Sequence, residues 1–101
     1  MTFMRDQRVA CTRKEHRCDT CEQVIPIGSP AVHWVGVQEG HLQRASHHED
    51  CREAEVAFNR EYGLSGDDWA SIAFDREPED DAWLLKSFPA VAERLGIVAI
   101  P

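Results

Sequence analysis

The chain has 101 residues, 43% of them hydrophobic, and carries eighteen Asp and Glu against eleven Lys and Arg, a formal net charge of −7. This length predicts one small domain, near the lower limit of what an apolar core can stabilise alone, and no apolar run approaches the roughly 20 residues of a membrane span. Charge is uneven, with five basic and two acidic side chains in residues 1–17 but thirteen acidic and five basic in 49–101, and an acidic half does not suit a phosphate backbone.

In chain order, "RVACT" has strand-like composition, with Cys11 expected to pack inside, and leads through the polar "RKEH" to Cys18. "RCDTCEQVIPIG" predicts a tight cysteine turn and a short extended piece closed by Gly28. "PAVHWVGV" is β-branched and aromatic, with Pro30 at a strand start. With "QEG" as the turn and "HLQRASH" returning, residues 31–37 and 41–47 read as a hairpin. His33 and His41 are expected to face each other across it as ordinary cross-strand residues.

Helix signals begin after His48. Glu49, Asp50 and Glu53 favour the positive end of a helix dipole, Cys51, Ala54, Phe58 and Tyr62 share a face, and Gly63 supplies a stop. "LSGDDWASIAF" predicts a second helix, with Ser65 and Asp68 as a capping pair ahead of Trp69, Ile72 and Ala73. "EPEDDAWLLKSF" opens a third with Pro78 near its start, Pro89 breaks it, and "AVAERLG" runs to a stop at Gly96. The acidic "DREPEDD" is expected to be a solvated connector. Strands first and helices after give an α+β class. Residues 1–63 form the metal-binding part of a single domain spanning 1–101. Residues 64–101 form a helical extension of two or three packed helices. Phe58, Trp69, Ile72, Trp83, Leu84, Val91 and Leu95 are expected to cover one face of the metal-binding part, with Trp69 and Trp83 in the core.

Cys18 and Cys21 form a CxxC pair, and Cys51 follows His48 by three residues and His47 by four. Zinc favours four N and S ligands in a tetrahedron, which two short-spaced pairs supply. Both histidine spacings lie on one helix face, so geometry leaves His47 and His48 open. No apolar signal segment opens the chain, so it is expected to be cytoplasmic, where reduced thiols at regular spacing hold metal rather than pair. The competing reading of the CxxC as a redox pair wants a βαβ context that is missing. Cys11 and His16 read as a packed thiol and a histidine bonding nearby backbone. Four protein ligands would close the ion to substrate and make it structural.

The order of cysteine knuckle, hairpin and helix resembles the treble-clef zinc finger. The ligand order Cys, Cys, His, Cys and the segment "RCDTCEQVIPIGSPAVHWV" resemble the poly(ADP-ribose) polymerase-type zinc finger over about residues 15–58. "RKEHRCDTC" is similar to an opening shared by small zinc proteins of bacteriophages and prophages. The HxxC spacing of the resemblance implies His48 beside Cys18, Cys21 and Cys51 as ligands of one Zn²⁺. A phage origin would place the protein in a host cytoplasm.

No Gly-rich phosphate loop, GxSxG elbow or HExxH helix is present, and no enzyme is expected. An HNH-type nuclease shares the treble-clef scaffold but needs an Asn and a second His. The only Asn is Asn59, and no His follows His48. The favoured expectation is a non-catalytic interaction module that binds a protein partner. Acidic groups on the helices, with Asp67, Asp68, Asp80 and Asp81 as candidate contacts, would imitate a phosphate backbone. They would thereby block a basic nucleic-acid-binding host machine, in the manner of an anti-CRISPR inhibitor. The alternative is a DNA- or RNA-binding finger using Arg5, Arg8, Arg13, Lys14 and Arg17, although Arg44 is the only basic residue between the two ligand pairs.

Overall fold

The computed structural model describes residues 3–38, 40–65 and 68–98. Among the described residues five strands precede four helices: β1 (Phe3–Val9), β2 (His16–Arg17), β3 (Val24–Ile25), β4 (Ala31–Gln38), β5 (His41–His47), α1 (Glu49–Glu61), α2 (Ile72–Asp75), α3 (Pro78–Ser87) and α4 (Pro89–Arg94). This is a mixed α+β architecture with two antiparallel sheets. Among the described residues no helix is long and apolar enough to cross a membrane.

The larger sheet has strand order β1-β4-β5, with β4 in the middle. β4 and β5 form the expected hairpin, but its register opposes His33 to Ser46 and His41 to Gln38, so the two histidines do not face each other. The ring of His33 lies instead against that of His16, 4.8 Å between centroids. β1 begins earlier than "RVACT" implies, because residues 3–9 pair one-for-one with residues 37–31 of β4. The expected strand interior at Cys11 is therefore a bend past the end of the ladder, and Cys11 is exposed. Thr12 turns inward in its place. Its hydroxyl donates to the Pro26 carbonyl at 2.9 Å, and its own carbonyl accepts from the Gly28 amide at 2.9 Å.

α1 starts and stops where its signals lie, with Glu49 and Asp50 in the first turn and Gly63 at φ +67° after the last. The second helix is shorter than expected. Asn59, fully buried on α1, holds the backbone of Ala70: its Oδ1 accepts from the Ala70 amide at 2.7 Å and its Nδ2 donates to the Ala70 carbonyl at 3.0 Å. Those groups are then lost to a helix, and α2 is confined to Ile72–Asp75. Among the described residues Ser65 and Asp68 meet through their backbones and not as a side-chain cap, the Asp68 amide donating to the Ser65 carbonyl at 3.1 Å. Trp69 is half-buried rather than in the core, its indole N–H donating to Glu55 at 3.0 Å.

The stretch "DREPEDD" is not a free connector but the start of α3. Pro78 occupies the first turn, and the Glu77 amide donates to Asp80 Oδ2 at 2.8 Å. Pro89 separates α3 from α4, as its missing N–H and fixed φ require.

One contiguous core runs from the cysteine turn through Ile25, Ala31, Ala54 and Phe58 to Ile72, Leu84, Val91 and Ala92. Trp83 and Leu95 pack on it from the rim, with the Trp83 ring 6.2 Å from Phe58 and 5.5 Å from Phe88. Full burial of each large aliphatic contributes about 1.5–3 kcal/mol. The helical extension is thus packed directly over α1 and the cysteines. The far end of the three-stranded sheet projects beyond that core, with Leu42 58% exposed.

Candidate metal centre

Two sequence signals build the site. The CxxC segment lies between β2 and β3, whose pairing of His16 with Ile25 and Arg17 with Val24 closes it into a knuckle. The Cys18 amide donates to the Gln23 carbonyl at 2.9 Å and the Glu22 amide to the Cys18 carbonyl at 2.8 Å. This tight return forces Glu22 into the left-handed region at φ 64°, which is unfavourable for a side chain with a Cβ. The second pair straddles the start of α1: His48 is the residue before the helix, and Cys51 sits in its first turn.

The metal-ligating atoms of Cys18, Cys21, His48 and Cys51 all lie within 4.8 Å of one another. His48 Nδ1 is 3.4 Å from Cys21 Sγ and 3.7 Å from Cys51 Sγ. A tetrahedral ion with Zn–S near 2.3 Å and Zn–N near 2.1 Å sets its ligand atoms roughly 3.6–3.8 Å apart, so the cluster fits one ion. His48 Nε2 lies 3.2 Å from the Val24 carbonyl, which can only accept. The ring proton is therefore on Nε2, and Nδ1 presents its lone pair to the three sulfurs. This is the tautomer a metal-binding imidazole needs.

The thiols share hydrogen bonds. Hydrogen bonds from Cys21 and then Cys51 draw the Cys18 thiol far below the ordinary thiol range. The same sharing with Cys18 pushes Cys21 and Cys51 up. Three sulfurs crowded into one buried pocket make an arrangement that a divalent cation relieves.

Groups around the cluster point donors at its sulfurs. The His48 amide reaches Cys18 Sγ at 3.4 Å, and Arg94 Nη2, from α4, reaches Cys51 Sγ at 3.4 Å. Arg94 also donates to the Asp50 carboxylate. Burial alone would raise the Asp50 pKa, but this hydrogen bond and the guanidinium charge hold it below the usual carboxylate value. A divalent ion with three thiolates and a neutral imidazole would carry one net negative charge, toward which Arg94 points a donor that it also shares with Asp50.

His47, left open by helix geometry, is not one of the four clustered residues; it lies beside Cys18 and its Nδ1 enters a second buried network. Its Nδ1 is 2.8 Å from Thr20 Oγ1, and Thr20 donates to Glu55 Oε2 at 2.5 Å. Since the single hydroxyl proton of Thr20 goes to Glu55, His47 Nδ1 is the donor in the first bond. Glu55 also accepts from Trp69, and Arg52 lies 5.1 Å from the centroid of that indole. Sequence reasoning missed this network. Its members lie on three separate segments, the CxxC loop, the end of β5 and α1, so no local spacing connects them.

The four candidate contact carboxylates have different fates. Asp80 is buried and accepts from the Tyr62 hydroxyl at 2.5 Å; Asp81 pairs with Arg76 at 3.0 Å; Asp68 is exposed; Asp67 lies outside the described residues. Among the basic candidates, Arg8 pairs with Glu49 at 3.3 Å and Arg17 with Glu22 at 3.9 Å, whereas Arg5, Arg13 and Lys14 are exposed. Asn59, the one residue that could have served an HNH-type reading, is fully buried against Ala70. No protein-family description, curated protein or solved structure matches this chain.

Proposed function

We infer that the protein is a non-catalytic interaction module built on one structural Zn²⁺, held by Cys18, Cys21, His48 and Cys51 in a treble-clef-like frame. The observation that carries this reading is the closure of the cluster. Four protein ligands fill the tetrahedron, and a zinc with no open position stabilises rather than catalyses. What remains to act is the surface. Zinc analysis of the purified protein and thermal melting with and without a strong chelator test the metal. One zinc per chain and unfolding on chelation are expected, and a metal-free protein that melts unchanged refutes it.

The partner this reading favours is a basic nucleic-acid-binding protein, blocked as a phage-type, anti-CRISPR-like inhibitor would block it, in the cytoplasm. Support comes from the helical half, a net −8 over residues 49–101. Asp80 and Asp81 are engaged by Tyr62 and Arg76, and the exposed carboxylates clustered near the start of α3 are Asp68, Asp75, Glu77 and Glu79, with Phe74 76% exposed beside them. Affinity capture from a bacterial lysate should recover a basic nucleic-acid-binding protein that salt releases. Reversing those four charges should abolish its capture, and capture unaffected by the reversal excludes this partner.

The exposure of Arg5, Arg13 and Lys14 favours a second reading, direct binding of DNA or RNA. Fluorescence anisotropy at low salt decides between the two. Binding that falls steeply with salt and vanishes when the three are neutralised supports the second reading, and absence of binding removes it.

A further inference from the structure

The outer edge of β5 is an open hydrogen-bonding rim that one contact has already begun to fill. In an antiparallel ladder, residues alternate between pairs bonded to each other and pairs whose N–H and C=O point away from the partner strand. Ser46 shows which residues of β5 point outward: its amide donates to Asp19 Oδ2 at 2.8 Å, and its carbonyl accepts from the Asp19 amide at 2.8 Å. Arg44 and Leu42, two and four residues earlier, share that orientation. Their outward N–H and C=O groups meet no backbone partner among the described residues, and β5 has no strand on that side. The zinc knuckle therefore caps one end of the edge and leaves residues 41–45 open, a length of roughly 17 Å.

The side chains along this rim define what suits it. By register, Arg44 and Arg5 flank Val35 on one face of the sheet, roughly 10 Å apart across two strand spacings. Leu42 neighbours them on the same face. α1 lies against the opposite face, where Asp6 pairs with Arg52 and Arg8 with Glu49. Arg5 and Arg44 are exposed and carry no ion-pair partner among the described residues, and "HLQRASH" contains no carboxylate. The other edge strand, β1, carries Arg5, Asp6 and Arg8 and offsets two of them against α1, which blunts it.

We propose that residues 41–45 of β5 accept an extended acidic segment of a partner protein as an added strand. The segment places a carboxylate beside Arg44 and an apolar side chain beside Leu42. Main-chain bonds to Leu42 and Arg44 give affinity, and the alternating side chains give selectivity. A second copy of β5 fits less well, since it brings no carboxylate to Arg44. This surface is separate from both the metal and the acidic helices, so its test is independent of theirs.

The test uses the full zinc-loaded chain and a fluorescein-labelled heptapeptide alternating Val and Glu. A Val–Lys counterpart and two versions of the Val–Glu peptide N-methylated on alternate amides serve as controls. The Val–Glu peptide should bind and slow amide exchange at Leu42 and Arg44. The Val–Lys peptide should bind about tenfold more weakly, and one N-methylated version should lose binding while the other keeps it. Arg44→Glu should reverse the preference between Glu and Lys peptides, and Arg44→Gln should remove it. No binding of the Val–Glu peptide overturns the proposal, as do equal binding of the Lys peptide and retention of binding by both N-methylated versions. Sedimentation as a dimer with both amides already protected, or tighter binding of a single-stranded oligonucleotide, also overturns it.

Discussion

Replacing Arg94 by Met keeps most of the side chain's bulk but removes the guanidinium that joins α4 to the metal cluster. Two interactions disappear, the 3.4 Å donation to Cys51 Sγ and the ion pair with Asp50. The Asp50 side chain is 41% exposed, so solvent screening limits that pair to at most about 1 kcal/mol. The bond to the thiolate is charge-assisted, and such bonds contribute about 1.5–3 kcal/mol. That part is made to the metal-bound form of Cys51 and so should appear as zinc affinity. At about 1.4 kcal/mol per decade it predicts a loss of roughly 10–100-fold, the range expected when a group supporting a ligand is removed. Competition titration of zinc against a chromophoric chelator measures this directly, with far-UV circular dichroism confirming the fold. Arg94→Lys should fall between, since it keeps the charge but loses the rigid planar guanidinium that holds Nη2 between sulfur and carboxylate. A zinc affinity within about twofold of the parent, in a folded Arg94→Met protein, would refute the reasoning and reduce Arg94 to a surface ion pair.

Tyr62 is the only tyrosine, and its hydroxyl donates to Asp80, which holds its pKa up to about 12. A titration followed at 295 nm should therefore have its midpoint about two pH units above that of a free phenol, and Asp80→Asn should return it toward 10. Because the folded pKa is the higher, the stability from this contact is complete below pH 10 and lost as pH rises toward 12. Glu22 occupies a left-handed φ of 64°. Glu22→Gly should raise chelator-free stability by up to about 1 kcal/mol, and Glu22→Val should lower it by at least as much. Asn59→Leu leaves the Ala70 amide and carbonyl unpaired. It should cost about 2–4 kcal/mol in urea unfolding, and a cost under 1 kcal/mol would mean that the segment near Ala70 repacks.

The clustering of Cys18, Cys21, His48 and Cys51 was readable because its signals are local. CxxC and HxxC spacings each fit one turn, and the hairpin and α1 between and after them carry strong two- and 3.6-residue periods. The choice between His47 and His48 was different, because both spacings serve one helix face. The structure brings His48 to the cluster and turns His47 toward Thr20 and Glu55, partners 27 and 8 positions away that no local pattern announces. The same holds for Asn59, whose hold on Ala70 shortens a helix that propensity alone would extend. Asp80 and Asp81 looked like solvated charge because composition does not show a tyrosine 18 residues upstream or an arginine five residues before. Cys11 failed for a simpler reason. It sits two residues past Val9, the last rung of a ladder that ends where β4 begins at Ala31.

Position along the chain gives the Arg94 contact a further meaning. The four candidate ligands are all present once residue 51 has been made, whereas the arginine that braces Cys51 is 43 residues later. At roughly 5–20 residues per second, translation separates the two by about 2–9 s. During that interval a growing chain has its candidate metal site without its outer brace. Metal can then enter and exchange through a side that α4 later covers. The finished protein should accordingly load zinc more slowly than a nascent chain does, and chelators should strip it at a rate set by how often α4 lifts away.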